Sequence, residues 1–319
     1  MAQVGAFKQI AWAKESTRGT VVAPATGSAI EHDGFDFEPK IEKVENKAAK
    51  GSIVGRNQAF ISKEYSEGSI PMNTALSKIG DICNIVMGAV PSTTGSGPTY
   101  THAYTLANTN NHLSYSFTVE DAVAGDKVYA GGMLNTFKLE AKVDDYIKLT
   151  LGIKASKEGT AASWTPSYTT ADVFFKPTQI NVYMATNYAG LGAALAMGIE
   201  SINLNVNKNV KPYHILGSSF TVNNFNQRVT IDGDMTRLYS DTVQRVLGLA
   251  ETSRAMKIVM SDGTYSWTIT IPSMDLQAWT DAKDIEAYQM ETYGFNANYL
   301  DTTNGFIKMD LVDNISSHA

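Results

Sequence analysis

The feature that most constrains this chain is strict alternation of apolar and polar residues, repeated along most of its length. Leu113, Tyr115, Phe117 and Val119 alternate with Ser114, Ser116, Thr118 and Glu120. Phe137, Leu139, Ala141 and Val143 alternate with Lys138, Glu140 and Lys142, and Ile147, Leu149, Leu151 and Ile153 repeat the pattern. In the second half, Ile202, Leu204 and Val206 alternate with Ser and Asn, and Tyr265, Trp267, Ile269 and Ile271 with Ser and Thr. A period of two puts successive side chains on opposite faces of a strand. One buried and one solvated face is the mark of antiparallel sheets packed as a sandwich or partial barrel. No apolar run reaches the roughly 18 residues of a membrane-spanning helix.

Two segments read as helices instead. From Met72 to Met87, apolar residues fall at 72, 75, 76, 79, 82, 83, 86 and 87, with Pro71 placed for a first turn and Gly88 for a C-terminal cap. From Asp234 to Leu247 they fall at 235, 238, 239, 243, 246 and 247, with Asp234 as N-cap and Gly248 as C-terminal glycine.

These helices expose a repeat. Ile70 and Ile231 precede them, and Gly88 and Gly248 end them. Ser114–Val119 then matches Thr264–Ile269, and Thr150–Ala155 matches Thr292–Ala297. Upstream, Gly51-Ser52 answers Gly217-Ser218, and Gly34-Phe-Asp-Phe answers Gly198-Ile-Glu-Ser. Collinear matches imply duplication. A length of 319 residues allows about two domains. The expected fold is mainly β: two tandem copies of one sandwich or partial barrel, each with one amphipathic α-helix. The boundaries are residues 1–157 and 171–319, with the small, polar, Pro-containing segment 158–170 as linker.

Chemistry-bearing constellations are scarce. A net charge of −6 argues against a protein that grips nucleic acid through its phosphates. One cysteine excludes an intrachain disulfide and multi-cysteine metal sites. Gly190-Leu-Gly192 lacks the third glycine and the βαβ setting of a dinucleotide turn, and reads as a flexible connection. His102 and His112 flank a polar turn without a ligand cluster, so they read as strand or turn histidines. Cys83 sits on the apolar stripe of the first helix and reads as packing. Glu120 and Asp121 read as solvated turn charge. Asn314-Ile-Ser316 is a formal glycosylation sequon, but the N-terminus carries no secretory pattern. Tyr115, Phe117, Tyr265 and Trp267 invite base stacking, yet they share a face with aliphatic residues and lack basic neighbours, so a core is the better reading. No catalytic residue, cofactor or metal is expected.

Five motifs in order resemble the tail tube (major tail) proteins of long-tailed bacteriophages. They are Glu15-Ser-Thr-Arg-Gly19-Thr20 with Pro24; Gly68-Ser-Ile-Pro-Met-Asn73 leading into the helix that ends at Gly88; Tyr100-Thr-His-Ala-Tyr-Thr105; Ser114-Tyr-Ser-Phe-Thr-Val-Glu120; and Tyr129-Ala-Gly-Gly132 followed by two long strands. Arg18 stands where an aromatic is frequent in that family.

The resemblance implies a non-enzymatic structural protein of the virion tail, assembled in the bacterial host cytoplasm without a membrane. Its rings stack into a hollow tube with a continuous inner β-barrel, through which DNA passes without specific binding. The implied partners are further copies of the chain and other tail proteins such as the tape measure and terminator. A duplicated subunit implies a trimeric ring with pseudo-sixfold symmetry. The alternative ring is a hexamer in which one half decorates the tube. A different class also stays open, a soluble β-sandwich binding module of a tail tip or fibre. The polar segment Lys43–Gln58, longer than a simple turn, is the expected inter-subunit loop, with Glu45, Asn46, Lys47, Lys50 and Arg56 as contact residues; a mobile surface loop is the competing reading. Asp36, Glu38, Asn203 and Asn205 are the expected lumen-facing polar residues. Lys138, Lys142, Lys148 and Lys154 are expected away from the DNA path, or paired with acidic groups such as Glu140 and Asp144.

Overall fold

Alternation dictates strands over most of the chain, and the chain is mainly β. The computed structural model describes all residues except 1–7, 49–57, 122, 124, 162–163, 170–171, 240–242, 282–287 and 319. The first half contains β1 (Ile10–Lys14), β2 (Glu38–Asn46), β3 (Gln58–Asn73), α1 (Leu76–Met87), β4 (Ser92–Thr94), β5 (Tyr100–Thr105), β6 (Tyr115–Val119), β7 (Lys127–Lys142), β8 (Lys148–Ala155) and β9 (Glu158–Thr160). The second contains β10 (Ile180–Ala185), β11 (Ala196–Met197), β12 (Ser201–Asn207), β13 (Lys211–Tyr213), β14 (Asn223–Phe225), β15 (Thr230–Leu238), α2 (Val243–Leu249), β16 (Arg254–Ser261), β17 (Ser266–Asp281), β18 (Met290–Ala297) and β19 (Lys308–Asp313). No helix among the described residues is long and apolar enough to cross a membrane.

Hydrogen-bonded neighbours run β2-β3-β8-β7-β6-β1 in the first half, all antiparallel. They run β12-β15-β18-β17-β16-β10 in the second, again all antiparallel. In both series the helix follows the third of these strands in chain order, and a late strand (β9 or β19) pairs with the start of the long one (β7 or β17). Each long strand changes partner midway near a register shift, β7 from β6 to β8 and β17 from β16 to β18. The halves are stitched together by β7 pairing with β12 and by β5 pairing with β19. One hydrophobic cluster spans both, from Ile10, Phe37 and Phe137 to Leu204, Trp267 and Phe295. Among the described residues no sheet closes into a barrel.

Three local expectations are corrected. The first helix begins at Leu76, because Ile70 and Met72 bury as alternating positions of β3. Pro71 is a strand residue whose missing N–H costs no ladder bond, since its carbonyl side faces Asp33 rather than β8. Gly88 does cap α1, at φ 73°. The second helix is shorter and later than expected: Thr230–Leu238 is strand, and Gly248 lies inside α2. Ile231 and Met235, four apart, satisfy a strand face as well as a helix face, and Asp234 accepts a side-chain bond instead of capping. Finally, Ser114–Val119 and Thr264–Ile269 fall in β6 and β17, which hold different places in their sheets.

Gly233 shows how tightly the second series is packed. A Cβ there would lie 2.2 Å from the Asn203 carbonyl and 2.5 Å from the Phe295 ring. Gly233→Ala is expected to destabilise the protein by about 1–3 kcal/mol through overpacking. An unchanged denaturation midpoint would show that the strands do not approach this closely.

Candidate functional site

The polar feature with most built structure is the junction where the second half lies on the first. Strand β12 adds to the free edge of β7, with Asn203 opposite Glu140, Asn205 opposite Lys138 and Asn207 opposite Thr136. Leu204 and Val206 point into the core, at 0 % and 1 % exposure, which fixes the asparagines on the opposite face.

Beyond β12 the chain makes a long excursion, residues 208–229, that folds back over the first half as the β13–β14 ribbon. Several groups hold it. Glu64 and the segment 219–221 exchange backbone bonds, Glu64 N to Ser219 O at 2.7 Å and Thr221 N to Glu64 O at 3.2 Å. The Lys157 ammonium lies 4.2 Å from the Phe220 ring centre. Lys154 Nζ donates to Val210 O at 3.1 Å, and the buried Asn224 amide donates to Gly131 O at 2.9 Å. Arg18 donates to Asn223 Oδ1 and to Asn224 O, both at 2.9 Å, and to His112 O.

The N-terminal motif therefore has a physical role. Glu15, 6 % exposed, accepts from Gly19 N, Ser114 Oγ, Ser116 Oγ and Gly131 N, tying β1 to β6 and β7. Gly19 and Gly131 adopt φ of 77° and 63°, which favours glycine at both. This buried carboxylate sets the turn that aims Arg18 at the ribbon.

Lys208 anchors the base of the excursion. It is 1 % exposed, and its ammonium donates to Ile85 O, 2.6 Å away in the last turn of α1. A cation suits a helix C-terminus, but burial brings its pKa down to about 7. Burial, then the Lys208 charge, takes His112 down to about 4. Contacts across the halves also complete α1 elsewhere: Leu76 N donates to Val173 O and Ser77 N to Asp172 Oδ1.

The expected site residues are placed as follows. Glu45, Asn46 and Lys47 lie exposed at the end of β2, while Lys50 and Arg56 lie outside the described residues. Asp36, Glu38, Asn203 and Asn205 share the open polar face of the sheet. Asn203 donates to Asp234 at 2.9 Å and Asn205 to Asp232 at 3.1 Å; the Ser69 hydroxyl donates to Asp36 at 2.9 Å. The four lysines lie on this same face, because Lys138 is directly opposite Asn205 and Lys142 opposite Ser201, while Lys148 and Lys154 alternate with buried Leu149 and Ile153. Of the two expectations for these lysines, pairing with acidic groups is the arrangement seen on this face. Lys138 pairs with Glu140 at 2.7 Å and Lys148 with Asp145, not Asp144. Sequence reasoning missed Arg18, Lys154 and Lys208 as junction residues; their partners are 56 to 206 positions away.

Elsewhere, Tyr115, Phe117 and Trp267 are core. Cys83 is fully buried, and burial pushes its thiol well up. Gly190 and Gly192 belong to a short 3-10 turn, Tyr188–Gly192, closed by Asn187. His102, Asp313 and His318 are the one trio among the described residues with metal-ligand chemistry. Their polar atoms are engaged with one another: His102 Nε2 lies 3.1 Å from Asp313 Oδ1 and 2.9 Å from Ile315 O, and His318 Nε2 lies 2.7 Å from Asp313 Oδ2. With Asn84 donating to His318 O, the cluster pins residues 313–318 to α1.

A family model described as phage tail tube protein matches residues 5–297, nearly the whole chain. No curated protein matches it.

Lys208 yields a pH test. Its folded pKa of about 7 lies below the roughly 10.4 of an unfolded lysine. Between those values the unfolded chain binds more protons, so stability should rise with pH across that window. In Lys208→Met this contribution should vanish, leaving a shallower stability–pH slope from 7 to 10. Equal slopes in chemical denaturation would show that Lys208 keeps its charge when folded.

Proposed function

The chain belongs to the phage tail tube family, a structural protein of the virion tail, and on that premise we propose that it builds the tube as stacked rings of three chains, each chain supplying two copies of the ring unit. The observation that carries this reading is the β7–β12 junction. It joins two strand series of the same order through the edge of one long strand. In that reading the joint inside one chain is the joint the ring repeats between chains.

The register makes the proposal specific. Taking Thr150–Ala155 and Thr292–Ala297 as equivalent sets Lys154 against Asn296, and Glu67 and Asp232, which face them, then become counterparts. Glu38 faces Glu67 as Asn205 faces Asp232. Lys138 faces Thr150 as Thr280 faces Thr292. Because Asn205 lies opposite Lys138 within the chain, Glu38 of one copy would lie opposite Thr280 of the next. Among the described residues both edges are open. The outer edge of β2 has no strand partner among the described residues, and the end of β17 pairs only with β18. Such edges need covering, and pairing them around a ring removes them.

Each chain then contributes eight strands to the inner layer: β2, β3, β8, β7, β12, β15, β18 and β17. Three chains give 24. At about 4.8 Å spacing and roughly 40° tilt, such a barrel closes at a backbone diameter of roughly 48 Å, wide enough to pass hydrated duplex DNA. A hexamer with a decorating half does not use the continuous eight-strand layer.

The open polar face would line the lumen. It carries Asp36, Glu38, Glu67, Glu140, Asp232 and Asp234 against Lys40, Lys138, Lys142, Lys148 and Lys154. Near-balanced, interleaved charge denies DNA a run of unpaired cations, so passage without holding is the expected behaviour. The domain division at 158–170, the tape-measure and terminator partners, and assembly in the host cytoplasm belong to the same proposal.

The test is a paired-cysteine variant, Glu38→Cys with Thr280→Cys. Under mild oxidation it should link chains into covalent species ending at a trimer on non-reducing gels. Absence of any inter-chain link in assembled material, or a ladder running to six, would refute the three-chain ring.

A further inference from the structure

We propose that the cleft bounded by Val229, Asp232, Asn296 and Tyr299 is the seat of the β2–β3 ribbon of the next copy of this chain. The inference rests on the ring reading above and deepens it. The cleft has a volume of about 1290 Å³ and lies beside the start of β15 and the end of β18.

The argument starts from the ribbon. Strand β3 pairs with β8 only from Ser66 onward, so residues 40–46 and 58–65 form a two-stranded arm that extends past the end of β8. Ile41, Val44, Phe60 and Ile61 on it are 42–60 % exposed. A two-stranded ribbon is at best marginal in water without a surface to lie on.

The second half contains its counterpart. Carrying the register along both strands makes Val44 and Phe60, which face each other, the counterparts of Lys211 and Phe225, which also face each other. Asn46 and Gln58 likewise answer Tyr213 and Asn223. The β13–β14 ribbon and the arm are therefore the same element in two settings. The first is docked, on the surface made by Glu64, Lys154 and Lys157. The counterparts of those three residues are Val229, Asn296 and Tyr299, which line the cleft.

Burial follows the same division. Lys208, Val210 and Asn224 of the docked ribbon are 0–1 % exposed. Their counterparts Ile41 and Lys43 are exposed and Ala59 is half-buried. Lys208 reaches the last turn of α1; Ile41 would reach the end of α2, where Val246 and Leu249 stand 57 % and 77 % exposed. The polar lysine-to-carbonyl anchor of one junction thus becomes an apolar contact in the other, and both of its sides are present and uncovered in the single chain.

The test places one cysteine on each side. Asn224 donates to Gly131 O, and the counterpart positions are Ala59 and Ser273. The double variant Ala59→Cys, Ser273→Cys is assembled and bridged with a short bismaleimide, beside the Glu38→Cys, Thr280→Cys pair. Both pairs should trap chains up to a covalent trimer. If the Glu38–Thr280 pair links chains and the Ala59–Ser273 pair leaves monomers, the cleft assignment is overturned while the ring stands. If neither links, the ring reading fails and takes this inference with it. A milder variant, Phe60→Ser, should leave the monomer's melting temperature within a degree or two and raise the critical concentration for assembly at least tenfold. An unchanged critical concentration would also overturn the assignment.

Discussion

The backbone ladder between β7 and β12 is the constraint on which the rest of the molecule depends. It spends the free edge of one long strand on the first strand of the second half. That single pairing sets which face of β12 is buried, through Leu204 and Val206. It directs the following excursion over the first half and brings Lys208 beneath α1. The helix N-terminus is satisfied by residues 172–173 and its last turn by residue 208, so α1 is completed by the second half at both ends. The halves are thus interlocked rather than strung together.

The electrostatics of the junction separate two jobs. Three charged groups at or behind the joint make specific bonds: Glu15 accepts from four donors, the half-buried Arg18 donates to three acceptors, and Lys208 donates to a helix-end carbonyl. Such groups specify one arrangement, because a buried polar atom without its partner is costly. The open face is different. Its charges are solvated pairs such as Lys138–Glu140, which contribute little to stability. They set the potential of the surface instead.

Much of this was legible in the sequence, and the misses have physical causes. Strict alternation located β6, β7, β8, β12 and the start of β17, because one-sided burial imposes period two. Capping chemistry located the end of α1, since Gly88 needs a left-handed φ. The Asp234–Leu247 helix was misread because Ile231 and Met235 are compatible with either period, and only the partners on both sides decide. Thr150–Ala155 and Thr292–Ala297 are β8 and β18, legible because both alternate about a central glycine; at Gly152 the Thr136 side chain leaves no room for a Cβ. The similarity of Ser114–Val119 to Thr264–Ile269 reflects shared burial pattern, not shared place. Among candidate site residues, the face of Asp36, Glu38, Asn203 and Asn205 was readable from alternation. The Lys138–Glu140 pair was readable two positions apart on one strand, whereas Lys148 pairs with Asp145 rather than Asp144 because the turn geometry decides which carboxylate reaches it. Arg18, Lys154 and Lys208 act across the fold and leave no local signal.

The central claim is that one chain carries two equivalent ring units joined as neighbouring chains are joined. The most direct measurement is the number of chains in a ring, from native mass spectrometry of disassembled rings or from cryo-electron microscopy of assembled tubes. Three chains per ring, with β2 of one chain beside β17 of the next and six similar wedges around the axis, is the expected result. Six chains per ring, with only one half of each chain lining the channel, would contradict the account.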